Sequence, residues 1–287
     1  MGVDDDTSEA LTNFLWEQGA LGVVEEQTEG RGATLRAFFP EAVSRVDLDA
    51  RVRTYLASLG ALGLRAPETA TIATLADRDW AEAWRQFFRP LPVGRRLLVA
   101  PPWDVPVAPG RLILIIEPGR AFGTGHHGST SGCLGLLERA LETRGFERAI
   151  DLGTGSGILA IAAARLGIAR VLAIDEDPDA IAAARANAEL NHVADRIACR
   201  LDDAAALESD PAPLVLANLL AAAHVKLADL YRRLLAEGGT LILGGILDAE
   251  ADATRDAVGA HGLVPADTLS IDGWTALAFR ASVHDLA

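Results

Sequence analysis

The chain has 287 residues, of which 50% are hydrophobic, so it is long enough to fold as two domains and to bury a substantial core. Its 26 basic and 40 acidic side chains give a formal net charge of -14, so we expect no direct binding of nucleic acid; the surplus of acid suits a basic partner or simply keeps the protein dispersed. The two cysteines, Cys133 and Cys199, lack a paired CxxC spacing, so we predict no metal site and no disulfide framework.

The start of the chain predicts no targeting segment. The first residues, MGVDDDTSEA, are acidic rather than a basic stretch leading into an apolar one. Nowhere does the sequence contain a run of about 18 or more uncharged apolar residues. We therefore expect no signal peptide, no membrane span and a cytoplasmic location.

Residues 1–75 predict a small α+β domain. An amphipathic helix in SEALTNFLWEQGA precedes two apolar runs, LGVVEEQ and ATLRAFFP, which predict a hairpin. A second helix, in VDLDARVRTYLASLG, precedes a strand-like stretch, LRAPETATIATL. No chemistry is visible in this part of the chain, and we interpret it as a substrate-recognition or packing module.

Residues 76–94 predict a linker helix. The stretch DWAEAWRQFFRPLPVG places Trp80 and Trp84 one helical turn apart, and Pro90 stops the helix. Packing of the two tryptophans at a domain junction is favoured over a binding role.

Residues 95–287 predict an α/β domain. Two strands, in RRLLVAPPW and RLILIIEP, lead to the glycine- and histidine-rich segment AFGTGHHGST. A helix follows, and strands and helices then take turns, which predicts a parallel sheet with helices on both faces. The final runs, in DTLSIDGWTALAFRA, predict a hairpin at Asp272 and Gly273 that adds an antiparallel strand to this sheet.

A glycine-rich turn between a strand and a helix, in AIDLGTGSGILAIAAARLG, carries the strongest functional signal. Gly153, Gly155 and Gly157 let the backbone turn tightly and approach a ligand, and the third glycine comes one residue earlier than in the dinucleotide motif GxGxxG. The preceding Asp151 favours a cationic group, such as an ammonium or a sulfonium, over a pyrophosphate. Asp175, at the end of the next predicted strand, stands where such folds hold an unphosphorylated ribose.

The motifs AFGTGHHGST, IDLGTGSGILAIAAARLG, AIDEDPDAI and LANLL, in this order, resemble the ribosomal protein methyltransferase family that modifies large-subunit ribosomal protein eleven. The similarity extends to DWAEAWRQFFRPLPVGRRLLVAPPW and LWEQGALGVVEE, and so covers nearly all of the chain. It implies a seven-stranded, Rossmann-like class I catalytic domain that depends on S-adenosylmethionine, and an N-terminal domain that grips a basic ribosomal protein. The implied products are methylated lysine side chains and a methylated N-terminal amine.

The resemblance places cofactor contacts on Thr130, Gly153, Asp175 and Asn218. Where the family usually has two threonines, this chain has the sequence GST, and the serine keeps a hydroxyl. The first strand usual in the small domain is not evident in MGVDDDTSEA.

Catalysis by this family implies alignment rather than a nucleophilic side chain, because a sulfonium methyl group is itself electrophilic. We expect Asn218 to contact the cofactor and to orient the substrate amine through its oxygen; the simpler alternative is a strand-end asparagine in a turn. His126 and His127 are expected to line the entrance for the amine, with His127 the candidate base. The remaining histidines are expected to have no role: His192, His224, His261 and His284.

Other classes of protein share parts of this pattern. A methyltransferase acting on another protein or on a small-molecule amine would have the same cofactor site. A nicotinamide dehydrogenase is disfavoured by the early third glycine and by Asp151. A non-enzymatic cofactor-binding partner of the ribosome would keep the same glycines. For the ribosomal protein methyltransferase we expect a monomer.

Overall fold

The structure, a computed structural model, describes residues 7, 11–12, 14–16, 18–20, 22–28, 32–40, 43–61, 70–73, 88–118 and 128–282. The chain divides into two compact units, Met1–Phe88 and Arg89–Ala287. The predicted division at residues 75 and 94 stays a prediction. Within the described ranges, no helix is long and apolar enough to cross a membrane.

The first unit contains the predicted hairpin and second helix. Strand β1, Gly22–Thr28, pairs antiparallel with β2, Gly32–Phe38, and helix α1 spans Arg45–Ala61. A small core forms where the apolar face of α1 meets the helical residues that precede the hairpin, and its buried members are Leu11, Leu48, Val52, Leu56 and Leu59. Of the predicted final strand only residues 70–73 are described, and they are not in a strand.

A small sheet opens the second unit. It contains β3, Leu91–Val93, β4, Leu97–Ala100, and β5, Leu112–Ile115, in the order β3-β4-β5. Strand β3 lies inside the predicted linker helix, so the helical prediction is wrong for residues 91–94. The sequence itself ends the predicted helix at Pro90, and Gly94 has a left-handed φ of 56°, which turns the chain back into β4. Residues 76–87 of the predicted linker lie outside the described residues.

A seven-stranded sheet forms the centre of the second unit, in the order β11-β12-β10-β9-β6-β7-β8. Its strands are β6 Arg148–Leu152, β7 Arg170–Asp175, β8 Ile197–Leu201, β9 Ala212–Asn218, β10 Leu235–Leu247, β11 Leu263–Ile271 and β12 Trp274–Ala281. Strands β8, β7, β6, β9 and β10 are parallel, whereas β12 pairs antiparallel with both β10 and β11. The predicted seven-stranded α/β fold and its terminal hairpin are therefore confirmed.

Helices cover both faces of this sheet, as predicted. They are α2 Gly128–Thr143, α3 Ile158–Arg165, α4 Pro178–Leu190, α5 Ala221–Leu234 and α6 Ala251–Gly259. Successive strand residues point to opposite faces, so Leu214 and Leu216 enter the core beneath α2 and α3, whereas Val215 and Ala217 enter the core beneath α5 and α6.

Helix α5 is shorter than the sequence predicts. The stretch LLAEGG was expected to continue the helix, but β10 begins at Leu235, directly after Leu234. Leu235 pairs with Ala212 of β9, and its side chain is buried. Pairing and burial therefore override the helical preference of this segment.

Candidate active site

The carboxyl ends of three neighbouring parallel strands define the site. Strand β6 lies between β7 and β9, so Leu152, Asp175 and Asn218 end their strands at one edge of the sheet. From β6 the chain continues to β7 and β8 on one side of β6 and then crosses to β9 on its other side. The strand order therefore reverses at β6, and ligands of open α/β sheets bind at such a point of reversal.

The predicted glycine turn follows β6. Gly153, Gly155 and Gly157 have left-handed φ angles of 67°, 54° and 84°. A Cβ atom at Gly153 would lie 2.4 Å from Cδ2 of Leu219, and one at Gly157 would lie 3.0 Å from Cα of Ala184. The left-handed conformation favours glycine at both positions; a Cβ atom at Gly157 would also be tight against the α4 backbone, whereas one at Gly153 would require the Leu219 side chain to move.

Asp175 lies at the predicted ribose position and also holds the turn. Its Oδ2 accepts a hydrogen bond from the Gly155 amide at 2.8 Å, and its Oδ1 accepts one from the Asp177 amide at 3.0 Å. Each carboxylate oxygen keeps a further lone pair, so the half-buried side chain still has acceptors for a diol.

Asp151 is completely buried beneath the turn, with 0% of its surface exposed. Its Oδ2 accepts from the Thr154 hydroxyl at 2.7 Å and the Ala160 amide at 3.1 Å, whereas its Oδ1 has no hydrogen-bond partner among the described residues. Burial raises the pKa of Asp151 to about 7, against the lowering effect of the two hydrogen bonds, and the charge of Asp175 raises it further. Asp151 thus supports the turn from below, and its predicted attraction to a cationic ligand stays a prediction.

Asn218 and Thr130 meet across the site. The Asn218 side-chain amide donates to the Thr130 hydroxyl at 3.2 Å, although the residues are 88 positions apart. Within the described part of the chain, the Asn218 Oδ1 is buried without a hydrogen-bond partner. Cβ atoms at Gly244 and Gly245 would lie 2.9 and 3.2 Å from this oxygen, so β10 passes close to it. This oxygen therefore lacks a donor, which a ligand bound at this end of β9 would supply.

Two asparagines that sequence reasoning missed connect α4 with β5. Asn187 donates to the Ser156 carbonyl and accepts from the Glu117 amide, both at 2.9 Å. Asn191 accepts from the Ile115 amide at 2.8 Å and donates to the Ile115 carbonyl at 2.6 Å. The signal was present in NAELN, because asparagines four residues apart share one helix face and disfavour a helix interior unless they are bonded.

The paired histidines cannot be placed in this geometry. His126 and His127 lie in the segment 119–127, outside the described residues, so their predicted positions at the amine entrance stay predictions. The segment starts just after Glu117, which Asn187 holds. It ends at Gly128, where a Cβ atom would lie 2.5 Å from the Ile271 carbonyl oxygen. Among the described residues no group of three or more His, Cys, Asp or Glu side chains is placed to hold a metal.

The residues fit a nucleoside. The glycine turn lets a ligand approach the backbone, Asp175 offers acceptors for ribose hydroxyls, and Asn218 presents an unpaired acceptor beside Thr130. Together with the seven-stranded sheet and its antiparallel edge hairpin, these features define a class I methyltransferase that depends on S-adenosylmethionine.

Comparison with known proteins identifies the family. A family model described as ribosomal protein L11 methyltransferase (PrmA) matches residues 2–282, and the chain belongs to this family. The chain is 36% identical to a ribosomal protein L11 methyltransferase of Pelobacter propionicus, over 97% of this chain and 95% of that protein. It is 38% identical to a ribosomal protein L11 methyltransferase of Geobacter metallireducens, over 94% of this chain and 93% of that protein. The crystal structure of a ribosomal protein L11 methylase from Lactobacillus delbrueckii subsp. bulgaricus matches with a TM-score of 0.63 and 30% identity, over 68% of this chain and all of that one.

Proposed function

We propose that the protein transfers methyl groups from S-adenosylmethionine to the lysine side chains and the N-terminal amine of ribosomal protein L11. The observation that carries this proposal is the buried, unpaired Oδ1 of Asn218 beside the glycine turn. The names of the relatives supply the substrate, and the first unit, Met1–Phe88, is the part of the chain proposed to grip it.

Four residues or groups of residues are proposed to hold the cofactor. The glycine turn would leave room for its amino acid part, Asp175 would accept from the ribose hydroxyls, and Thr130 and Asn218 would hold the end that carries the methyl group. When bound, S-adenosylmethionine supplies a methyl group that is electrophilic because it is attached to a positively charged sulfur.

The substrate amine must attack in its neutral form. A lysine with an ordinary pKa near 10.4 needs about 4 to 5 kcal/mol to lose its proton at pH 7, whereas an N-terminal amine needs only about 1 kcal/mol. The Asn218 oxygen accepts an N–H of the amine without adding a negative charge that would stabilise the ammonium form. Holding the amine in line with the methyl group can contribute up to about 7 to 11 kcal/mol.

The net charge of the chain supports a protein substrate that is basic. The formal net charge of -14 favours a basic substrate protein and disfavours nucleic acid as a direct partner. We propose a monomer that acts in the cytoplasm, where the ribosomal protein is made.

A methylation assay tests the function. The protein is incubated with labelled S-adenosylmethionine and purified ribosomal protein L11, and mass steps of one methyl group are followed on the target. The matched control is a target whose amines have been acetylated beforehand, which should gain no label. Transfer only to added small amines would favour the small-molecule methyltransferase, and binding of the cofactor without any transfer would favour a non-enzymatic partner.

A further inference from the structure

A buried histidine lies next to the proposed site without taking part in the proposed chemistry. His224, in the first turn of α5, has 0% of its surface exposed. Burial lowers the pKa of His224 to about 4, although hydrogen bonding with the backbone of Gly244 and Leu219 opposes this shift. The imidazole is therefore neutral at physiological pH, and one of its nitrogens donates while the other accepts.

The hydrogen-bond partners of His224 determine its tautomer. Its Nε2 lies 2.7 Å from the Gly244 carbonyl oxygen, which can only accept, so Nε2 carries the hydrogen. Its Nδ1 lies 2.8 Å from the Tyr231 hydroxyl and accepts from it. The result is a directional chain of donors that runs from Tyr231 through His224 to Gly244, with the Leu219 backbone as a weaker second acceptor.

Gly244 connects this chain to Asn218. The Gly244 carbonyl oxygen also accepts from the Leu219 amide at 3.2 Å, and Gly244 is aligned with Asn218 in the parallel pairing of β10 and β9. The side chain of Leu219 in turn fills the space above Gly153. The Gly244 carbonyl therefore fixes the turn that starts at Asn218. The side chain of Leu219, in this same turn, contacts the glycine turn.

We propose that His224, with its tautomer fixed by Tyr231, is a positioning residue that holds the Gly244 carbonyl and, through it, the turn of residues 218–220. The catalytic consequence rests on the proposed role of Asn218, whereas the structural consequence at Leu219 can be measured without any substrate.

Three variants separate positioning from general stability. His224→Leu combined with Tyr231→Phe replaces both partners of a buried hydrogen bond by apolar groups of similar size, a change that can be nearly neutral for stability, but it removes the donor to Gly244. His224→Gln keeps an amide donor close to the position of Nε2. Leu234→Ala, in the last turn of the same helix, removes buried apolar volume from a residue that makes none of these hydrogen bonds.

The first measurement is hydrogen exchange at the Leu219 amide in the ligand-free protein, combined with thermal unfolding. We expect exchange to accelerate about tenfold in the double variant with little change in melting temperature, which corresponds to the loss of one hydrogen bond. His224→Gln should keep most of the protection. Unchanged exchange in the double variant overturns the proposal. So does an acceleration that the overall loss of stability, measured as the fall in melting temperature, accounts for in full.

The second measurement is steady-state methylation of ribosomal protein L11. We expect kcat of the double variant to fall about tenfold while KM for S-adenosylmethionine changes little, and His224→Gln to recover most of kcat. Activity that follows melting temperature across all the variants, Leu234→Ala included, would leave His224 with a structural role only. If the unmodified protein does not methylate its target, the proposed function fails, and the exchange measurement alone decides the role of His224.

Discussion

The side-chain amide of Asn187 donates to the carbonyl oxygen of Ser156 at 2.9 Å, so helix α4 holds the glycine turn through a buried hydrogen bond. The oxygen of the same amide accepts from Glu117, at the start of the segment that leads to His126 and His127. One side chain therefore connects the glycine turn with the chain just before the segment of His126 and His127.

Replacing Asn187 should weaken cofactor binding. Asn187→Leu has a similar volume but leaves the Ser156 carbonyl and the Glu117 amide without their partner, so we expect the affinity for S-adenosylmethionine, measured by calorimetry, to fall about tenfold. Asn191→Leu is the matched control, because the Asn191 side chain bonds Ile115 and the backbone carbonyl of Asn187 but not the glycine turn. A comparable loss of affinity in the control would show that general destabilisation is responsible.

Removing the Asn218 side chain should reduce turnover. Without the oxygen that orients the amine, kcat of Asn218→Ala should fall about a hundredfold. Thr130→Val keeps the volume of the threonine but removes the hydroxyl that holds the Asn218 amide, so a smaller loss of about tenfold is expected. Steady-state kinetics that show normal turnover in Asn218→Ala would remove the proposed role.

A charge at position 218 should change the pH dependence. The carboxylate of Asn218→Asp would stabilise the ammonium form of the substrate and raise its pKa. The rate near neutral pH should therefore fall, and the rise of kcat/KM with pH should move to higher pH. An unshifted pH profile would mean that the side chain does not face the amine.

Asp151 should make the protein less stable as the pH rises towards neutrality. Its folded-state pKa of about 7 lies above the ordinary value, so its contribution is fully present below pH about 4 and is lost as the pH rises through about 7. Asp151→Asn is neutral throughout and should lack this loss, which is on the order of a few kcal/mol. Unfolding free energies of both proteins from about pH 4 to about pH 8 provide the measurement. A constant difference between them over this range would contradict the raised pKa.

The same carboxyl group should make cofactor binding depend on pH. A bound sulfonium favours the charged carboxylate, so the affinity of the unmodified protein should increase as the pH rises through about 7. Calorimetric titrations of Asp151→Asn should show a flatter dependence. An equally steep dependence in this variant would assign the effect to another group.

Gly153→Ala should weaken the binding of S-adenosylmethionine. Comparison with Gly110→Ala separates the displacement of Leu219 from backbone strain. Gly153 and Gly110 both have left-handed φ angles, 67° and 81°, and an alanine costs about 1 to 2 kcal/mol in this conformation. A Cβ atom at Gly153 would also displace Leu219, whereas one at Gly110 meets nothing within 4 Å among the described residues. Gly110→Ala should show the cost of the backbone conformation alone in thermal unfolding, Gly153→Ala should be destabilised further, and only Gly153→Ala should lose affinity for S-adenosylmethionine. Equal affinities would remove Leu219 from the explanation.

The sequence allowed the sheet and the glycine turn to be predicted because both have local signatures. Alternating apolar strands and helices indicate a parallel sheet, and glycines with left-handed φ are needed between β6 and α3. The resemblance placed Thr130 and Asn218 at the cofactor, but their hydrogen bond joins positions 88 residues apart and has no local signal.

Other features depend on tertiary contacts that a sequence pattern does not contain. The sequence predicts no role for His224, because a histidine near a helix start gives no indication that its two nitrogens meet Tyr231 and Gly244. The early start of β10 has the same origin, since only pairing with β9 makes Leu235 extended.

The hydrogen bonds of Asn191 affect whether strands of other chains can pair with this protein. Strand β5 lies at the edge of its sheet, and such edges recruit strands from other chains. The Asn191 side chain satisfies both backbone groups of Ile115, as a neighbouring strand would, and Asn187 satisfies the amide of Glu117. An incoming strand would have to displace these hydrogen bonds, so two asparagine side chains protect this edge against aggregation.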